Sequence, residues 1–200
     1  MKAQSPDDWL QTMRVYAKHC RIPFDTWLIE DVLPEPVCDA IAALPFAPPH
    51  APAFDGKRES NNSTRVYFSP ENQARFAVCR EVAAAFIDPE VKRAIERMTG
   101  ADLSSGRLRI EYCQDADGFW LEPHVDLPVK LLTMLVYLAD APELHDAGTD
   151  IYDASPAHRL VESAPCEWNA GLIFVPAKNT WHGFPTRPPR FTPACIFRSA

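Results

Sequence analysis

The stretch EPHVDLPVKLLTMLVYL, residues 122–138, joins two polar side chains to a long apolar run. In an extended strand, residues i and i+2 point to the same face, so His124 and Asp126 can direct an imidazole nitrogen and a carboxylate oxygen at one point. The apolar run is typical of a buried strand, and buried ionisable groups need partners or a metal. We therefore interpret His124 and Asp126 as two metal ligands at the end of a core strand. The alternative is a surface histidine hydrogen-bonded to a neighbouring acid.

A third ligand has to come from one of the histidines that follow. His145 lies in the polar segment PELHDAG and His158 follows DASPA, so both are expected to be solvated. His182 follows the apolar segment GLIFVPAKNTW, which makes it the favoured candidate. Two histidines and one carboxylate form a facial triad that leaves positions open on Fe(II). Zinc also accepts these ligands, but the chain has no H-E-x-x-H pattern and no cysteine cluster.

Short apolar segments dominate the chain from residue 107 onward. RLRIEYC (107–113) alternates apolar residues with Arg107, Arg109 and Glu111, which predicts a half-buried strand. Further short segments, separated by Pro, Gly, Asp and Asn, indicate a sandwich or barrel. The prediction is an α+β protein with a mainly β core over 107–200.

The first hundred residues carry helix signals instead. Ser-Pro or Asp-Pro pairs mark helix starts at Ser5, Ser69 and Asp88, and Gly100 marks a stop. TWLIE (26–30) reads as a short strand, and PEPVCDAIAAL (34–44) as a helix. We expect one domain over 1–200, in which a helical, substrate-side region (1–106) packs on the β core.

Composition excludes several classes of partner. The net charge of −7 argues against nucleic acid and against an anionic membrane surface, because both attract a basic face. No apolar stretch approaches the roughly 20 residues that span a bilayer. The six cysteines are scattered and the first residues show no secretory signal, which favours reduced thiols in a cytoplasmic protein. The sequence gives no indication of oligomeric state.

Longer segments around the His-Asp pair carry a resemblance to a known family. They resemble the 2-oxoglutarate/Fe(II)-dependent dioxygenases, in particular small bacterial members related to the prolyl 4-hydroxylase and phytanoyl-type branches. The lead-in FDTWLIEDVLPEPVCDAIAALPF (24–46) is similar to theirs as well. The segments that carry the resemblance are LRIEYCQDADGFWLEPHVD (108–126), KLLTMLVYLA (130–139), AGTDIYD (147–153) and GLIFVPAKNTWHGF (171–184).

The resemblance implies a double-stranded β-helix, or jelly roll, in which His124, Asp126 and His182 bind Fe(II). It implies that 2-oxoglutarate chelates this iron and that O₂ is the second co-substrate. The implied reaction is hydroxylation of a substrate, with 2-oxoglutarate split to succinate and CO₂. Family members that halogenate lack the ligand carboxylate, so Asp126 favours hydroxylation.

The resemblance also implies an arginine or lysine on the last core strand that binds the far carboxylate of 2-oxoglutarate. Here the expected place is near Thr192, and the neighbouring arginines are Arg187, Arg190 and Arg198. Arg190 is favoured as the anchor, with Arg187 as the alternative and Thr192 as a hydroxyl donor. Tyr112 occupies the place of a tyrosine that often holds co-substrate or substrate, although core packing explains it equally well.

Substrate contacts in such a fold come from variable loops, and the substrate is expected to be a small molecule. In GKRESNNSTR (56–65), Arg58, Asn62 and Arg65 are candidates for an anionic or polyhydroxylated ligand, and Trp120 is a candidate pocket wall. An exposed loop and a core tryptophan are the alternatives. Two other functions stay open: a cupin-like isomerase or hydrolase that does not use 2-oxoglutarate, and a non-catalytic binding module.

Overall fold

The computed structural model describes residues 18–47, 55–57, 65–115, 119–138, 142–184 and, for the backbone only, 192–199. Within these ranges two antiparallel sheets carry the fold, and four helices precede most of their strands. The large sheet has seven strands in the order β1-β2-β9-β6-β11-β4-β3, and the small sheet has four in the order β5-β10-β7-β8. The structure is thus mostly β with a few helices.

The elements have the following bounds. The strands are β1 Lys18–Cys20, β2 Thr26–Ile29, β3 Val66–Tyr67, β4 Leu108–Asp115, β5 Leu121–His124, β6 Leu132–Tyr137, β7 Asp150–Tyr152, β8 Leu160–Ser163, β9 Ala170–Phe174, β10 His182–Phe184 and β11 Thr192–Ser199. The helices are α1 Glu35–Ala42, α2 Pro70–Arg75, α3 Ala77–Ile87 and α4 Pro89–Thr99, and a 3-10 helix spans Pro142–Ala147. The start at Ser5 lies outside the described residues.

Two helix starts and one helix end follow the capping signals of the sequence. The Ser69 hydroxyl accepts a hydrogen bond from the Asn72 amide at 3.3 Å, and the Asp88 carboxylate accepts one from the Glu90 amide at 2.8 Å. Each bond satisfies an amide that a helix start leaves without an intrahelical partner. Gly100 ends α4 in the left-handed conformation, with φ of +73°, which costs glycine little.

The helical stretch predicted to begin at Ser69 is interrupted at Phe76. This residue has an extended backbone, with φ −121° and ψ 120°, so α2 ends before it and α3 begins after it. Its ring packs edge-on against Phe46, with centroids 5.3 Å apart. The aromatic contact with a distant segment is a tertiary feature that no local helix signal predicts.

The large sheet separates two apolar clusters. Its helix face, the side that carries Tyr112, Met134 and Ile173, packs against the helices in one cluster. Its inner face, the side that carries Cys113, Leu135, Tyr137, Leu172 and Phe174, packs against Ile151 of the small sheet in the other cluster. The alternation of side chains along each strand produces this division.

The expected half-buried pattern of β4 is wrong at one position. Arg107 and Arg109 are exposed as predicted, but Glu111 is fully buried. Its carboxylate accepts a hydrogen bond from Arg65 at 2.8 Å and forms an ion pair with Arg109, also at 2.8 Å. The buried charge is tolerated because two guanidinium groups compensate it.

The registers of two strand pairs fix the positions of His124, His182 and Thr133. β5 and β10 are antiparallel neighbours in the small sheet, and His182 is the Cα partner of His124. In the large sheet, Thr133 of β6 is the Cα partner of Phe174 of β9.

No helix within the described ranges is both long and apolar enough to cross a membrane.

Candidate metal centre

His124 and His182 lie side by side because of the pairing of β5 with β10. Their ring centroids are 4.3 Å apart, and the His182 ring also lies 4.7 Å from the ring of Phe174 on the large sheet. His182 is 4% exposed, so it reaches the space between the two sheets. The two histidines are 58 positions apart in the sequence, and the pairing of β5 with β10 brings them together.

Both imidazoles are oriented in the same way by the backbone. Nδ1 of His124 is 2.9 Å from the carbonyl oxygen of Glu122, and Nδ1 of His182 is 2.9 Å from the carbonyl oxygen of Thr180. A carbonyl only accepts, so each Nδ1 must carry the proton and donate it. The lone pair of a neutral ring is then on Nε2, which is the tautomer that a metal ligand needs.

Asp126 is positioned differently from what the strand argument predicts. Strand β5 ends at His124, so Asp126 lies in the loop that follows and not on the same strand face. Its carboxylate accepts a hydrogen bond from the Thr133 hydroxyl at 2.5 Å through Oδ2 and pairs with the Lys130 ammonium through Oδ1. All three residues are buried. Side-chain contacts to the start of β6 therefore hold the carboxylate.

The two histidines and the aspartate form a compact donor set. One ligand atom from each of His124, Asp126 and His182 lies within 4.8 Å of the others. Burial is the main reason that the pKa of His182 is lowered to about 3. Near neutral pH His182 is thus an uncharged imidazole that can coordinate a cation.

This donor set fits iron(II). Two neutral imidazoles and one carboxylate are the ligands of the facial triad, in which one side of the metal stays open for other molecules. Zinc is compatible with the same atoms. The fit to a divalent cation follows from the donors themselves and from their fixed orientation.

Replacing Thr133 by valine tests whether Asp126 is held as described. We expect Thr133→Val to weaken Co(II) or Fe(II) binding by about 10- to 100-fold, because the carboxylate loses a buried partner that orients it. Thr133→Ser keeps the hydroxyl and should bind the metal nearly as well as the wild type. Metal competition against a chelating dye measures both. Equal loss in the two variants would show that packing by the methyl group, and not the hydrogen bond, is responsible.

Lys130 and Thr133 are site residues that sequence reasoning missed. Both have a recognisable signal, since Lys130 is the charged residue next to the apolar run and Thr133 is a polar residue inside it.

A second polar contact lies further along the inner face, where the hydroxyls of Tyr137 and Thr149 are 2.7 Å apart. Tyr137 is 2% exposed and Thr149 fully buried.

The residues expected to bind 2-oxoglutarate have different positions in the structure. Tyr112 belongs to the helix face, where its ring packs 5.6 Å from Phe46, and so it lies on the opposite side of the sheet from Tyr137. The core-packing interpretation of Tyr112 is the one that this placement supports. Thr192 begins β11 and is the Cα partner of Asp115. Arg187 and Arg190 lie outside the described residues.

The residues expected to contact substrate are only partly described. Arg65 is 7% exposed at its side chain and is bound to Glu111, so its charge is compensated within the protein. Trp120 is half-buried and packs on Gly56, where an added Cβ would lie 2.1 Å from the indole. Neither residue is among the three candidate ligands. Arg58 and Asn62 lie outside the described residues.

The two other downstream histidines are separate from the triad. His145 is exposed, as predicted, and its Nδ1 lies 2.7 Å from the Glu167 carboxylate. His158 is half-buried, contrary to the expectation that it is solvated, because its ring packs on Trp181 with centroids 3.9 Å apart. Both serve as comparison positions for experiments on the metal centre.

Comparison with known proteins identifies the fold. No family model and no curated protein sequence matches the chain. Among solved structures, a Pseudomonas putida prolyl-4-hydroxylase aligns over 100% of this chain and 98% of its own, with a TM-score of 0.61 and 18% identity. A Trichoplax adhaerens prolyl hydroxylase in complex with a hypoxia inducible factor peptide fragment covers 87% of this chain and 82% of its own, with a TM-score of 0.57 and 13% identity.

A third solved structure extends the comparison beyond the proteins named as prolyl hydroxylases. AviO1 from Streptomyces viridochromogenes aligns over 100% of this chain and 96% of its own, with a TM-score of 0.52 and 10% identity. At such identities the comparisons establish the fold. The resemblance seen in the sequence is thus confirmed at that level, and the chain has the fold of the prolyl 4-hydroxylases.

Proposed function

We propose that the chain, as one catalytic domain over residues 1–200 with a jelly-roll core, is an Fe(II)- and 2-oxoglutarate-dependent oxygenase that hydroxylates a small-molecule substrate. The observation that carries this proposal is the convergence of His124, Asp126 and His182 to within 4.8 Å of one another. The shared fold of the prolyl-4-hydroxylases supports it.

Each residue of the site then has a defined task. His124 and His182 supply neutral imidazole ligands whose orientation is fixed by backbone carbonyls. Asp126 supplies the anionic ligand, and Thr133 and Lys130 hold its carboxylate. Bound Fe(II) and 2-oxoglutarate would supply the activation of O₂, with formation of succinate and CO₂. Asp126 and His182 are buried and His124 is half-buried, so the protein surrounds part of the site.

The far carboxylate of 2-oxoglutarate is proposed to bind Arg190, with Arg187 as the alternative and Thr192 as a hydroxyl donor. Thr192 is at the start of β11, the strand between β4 and β6, and this position supports that end of the sheet as the binding region. An arginine in this role forms two parallel charge-assisted hydrogen bonds with a carboxylate.

Anaerobic spectroscopy tests the function directly. The protein mixed with Fe(II) and 2-oxoglutarate should develop a visible metal-to-ligand charge-transfer band, and admission of O₂ should produce succinate. A protein that binds the metal but gives neither band nor succinate would be a cupin-like metalloenzyme instead. Failure to bind any divalent metal would indicate a non-catalytic module.

Two arginine variants extend the same experiment to the co-substrate. Arg190→Ala should lower the affinity for 2-oxoglutarate in the titrated band while Fe(II) binding stays constant, and Arg187→Ala should leave both nearly unchanged. The reverse result would assign the anchor to Arg187. If both variants bind 2-oxoglutarate like the wild type, neither arginine is the anchor.

A peptide is the second candidate substrate. One of the solved structures of this fold is a prolyl hydroxylase in complex with a peptide fragment, so the substrate need not be small. Succinate release that is coupled to substrate distinguishes the two. Stimulation by proline-containing peptides, with a mass increase of one oxygen on the peptide, would favour the peptide, whereas stimulation by free small molecules alone would favour the small-molecule substrate.

A further inference from the structure

A cavity lies on the helix face of the large sheet, between that face and helices α3 and α4. Its volume is about 180 Å³, and its walls include Phe86 of α3, Ile95 of α4, and Leu132 and Met134 of β6. Leu132 and Met134 alternate along β6 with Thr133, which bonds to Asp126 on the inner face. The cavity and the metal centre are thus on opposite sides of one sheet, and a molecule held in the cavity cannot be the one that meets the metal.

The lining of the cavity is apolar except at one side chain. Apart from Lys92 and the glycine at position 106, every lining residue carries an apolar side chain. A closed apolar cavity of about 150 Å³ binds molecules of the size of benzene, and the present cavity has a similar volume but opens to solvent beside Ile87. A chain of several methylene groups, or one small ring, fits a cavity of this volume and gains by leaving water.

Lys92 is the one charged residue in the lining, so one side of the cavity is polar. It is half-buried on α4, and among the residues that the structure describes it forms no ion pair. Lys92 acts only weakly on Asp102, an exposed carboxylate. Hydrogen bonds from Ser104 are the main cause of the lowered pKa of Asp102, and the charge of Lys92 contributes the least. The ammonium is therefore available to a ligand carboxylate at the edge of an apolar space.

From these features we propose that the cavity is a binding site for a small amphipathic carboxylate, such as a medium-chain fatty acid. The apolar chain occupies the space between Phe86, Ile95, Leu132 and Met134, and the carboxylate pairs with Lys92. This site is independent of the metal centre, so the proposal stands whether or not the chain is an oxygenase.

Calorimetric titration of the full chain with sodium octanoate, below its micelle concentration, tests the site. We expect one octanoate per chain. Lys92→Met should weaken octanoate binding by about five- to tenfold, as a half-buried ion pair implies, while leaving the binding of neutral 1-octanol unchanged. Equal binding of octanoate by the wild type and Lys92→Met, or no binding by the wild type, would overturn the proposal.

A filled cavity provides the second arm. Leu108→Trp places a larger side chain at a half-buried lining position and should abolish the binding of both octanoate and 1-octanol. Circular dichroism tests whether Leu108→Trp is folded. If it is not, Ile87→Trp, at an exposed lining position, replaces it. Octanoate binding that survives the filled cavity would place the ligand elsewhere and contradict the proposal.

Discussion

Replacing His182 by alanine is expected to lower the affinity for Fe(II) by about 100-fold or more, and to remove succinate formation with it. Removing a residue that only orients a metal ligand already lowers the metal affinity by about 10- to 100-fold. Removing a ligand itself lowers the affinity further. His182 is buried and neutral, so its removal leaves no buried charge without a partner. Competition with a chelating dye measures the affinity, and the 2-oxoglutarate charge-transfer band reports the geometry of what remains.

His158→Ala is the matched control for that substitution. His158 is also partly buried and packs against an aromatic ring, but it lies outside the candidate triad. Its removal should leave metal affinity within experimental error of the wild type. Comparable losses in both variants would mean that the effect comes from packing, and unchanged affinity in His182→Ala would remove His182 from the metal centre.

Replacing Glu111 by leucine should lower the free energy of unfolding by about 3–5 kcal/mol. The substitution leaves the Arg65 guanidinium, 7% exposed at its side chain, without the carboxylate that compensates it. Arg109 is 44% exposed at its side chain and can be solvated, so most of the expected loss comes from Arg65. Equilibrium unfolding in urea, followed by circular dichroism, measures the change.

The double variant Glu111→Leu with Arg65→Met separates the two sources of this loss. Removing both charges together should restore stability to within about 1 kcal/mol of the wild type, because apolar side chains of similar size replace a buried pair at little cost. Arg93→Ala breaks an exposed ion pair with Glu90 and should change stability by less than about 1 kcal/mol. A double variant as unstable as Glu111→Leu would show that Glu111 acts through contacts other than Arg65.

Local patterns in the sequence were sufficient for three of the helix ends and for naming three candidate metal ligands. The caps at Ser69, Asp88 and Gly100 depend on hydrogen bonds and backbone angles within a few residues, which the chain order fixes. The pairing of polar ligand types with apolar segments indicated His124, Asp126 and His182, because burial of such groups needs compensation wherever it occurs. The structure brings these three together, and their role in metal binding stays a prediction.

Only the tertiary structure determined which side of the sheet each residue faces and which distant partner it meets. Alternation along β4 is compatible with Tyr112 on either side, and packing of the helices against Phe46 put it on the helix face. Glu111, the next residue back along β4, points to the opposite face and is fully buried there, with a partner, Arg65, from a segment 46 residues away. Asp126 lies in the loop after β5, and the Thr133 hydroxyl of β6 holds its carboxylate. Such contacts depend on long-range pairing, whose free energy comes from burial shared by many residues, and no short stretch of sequence contains that information.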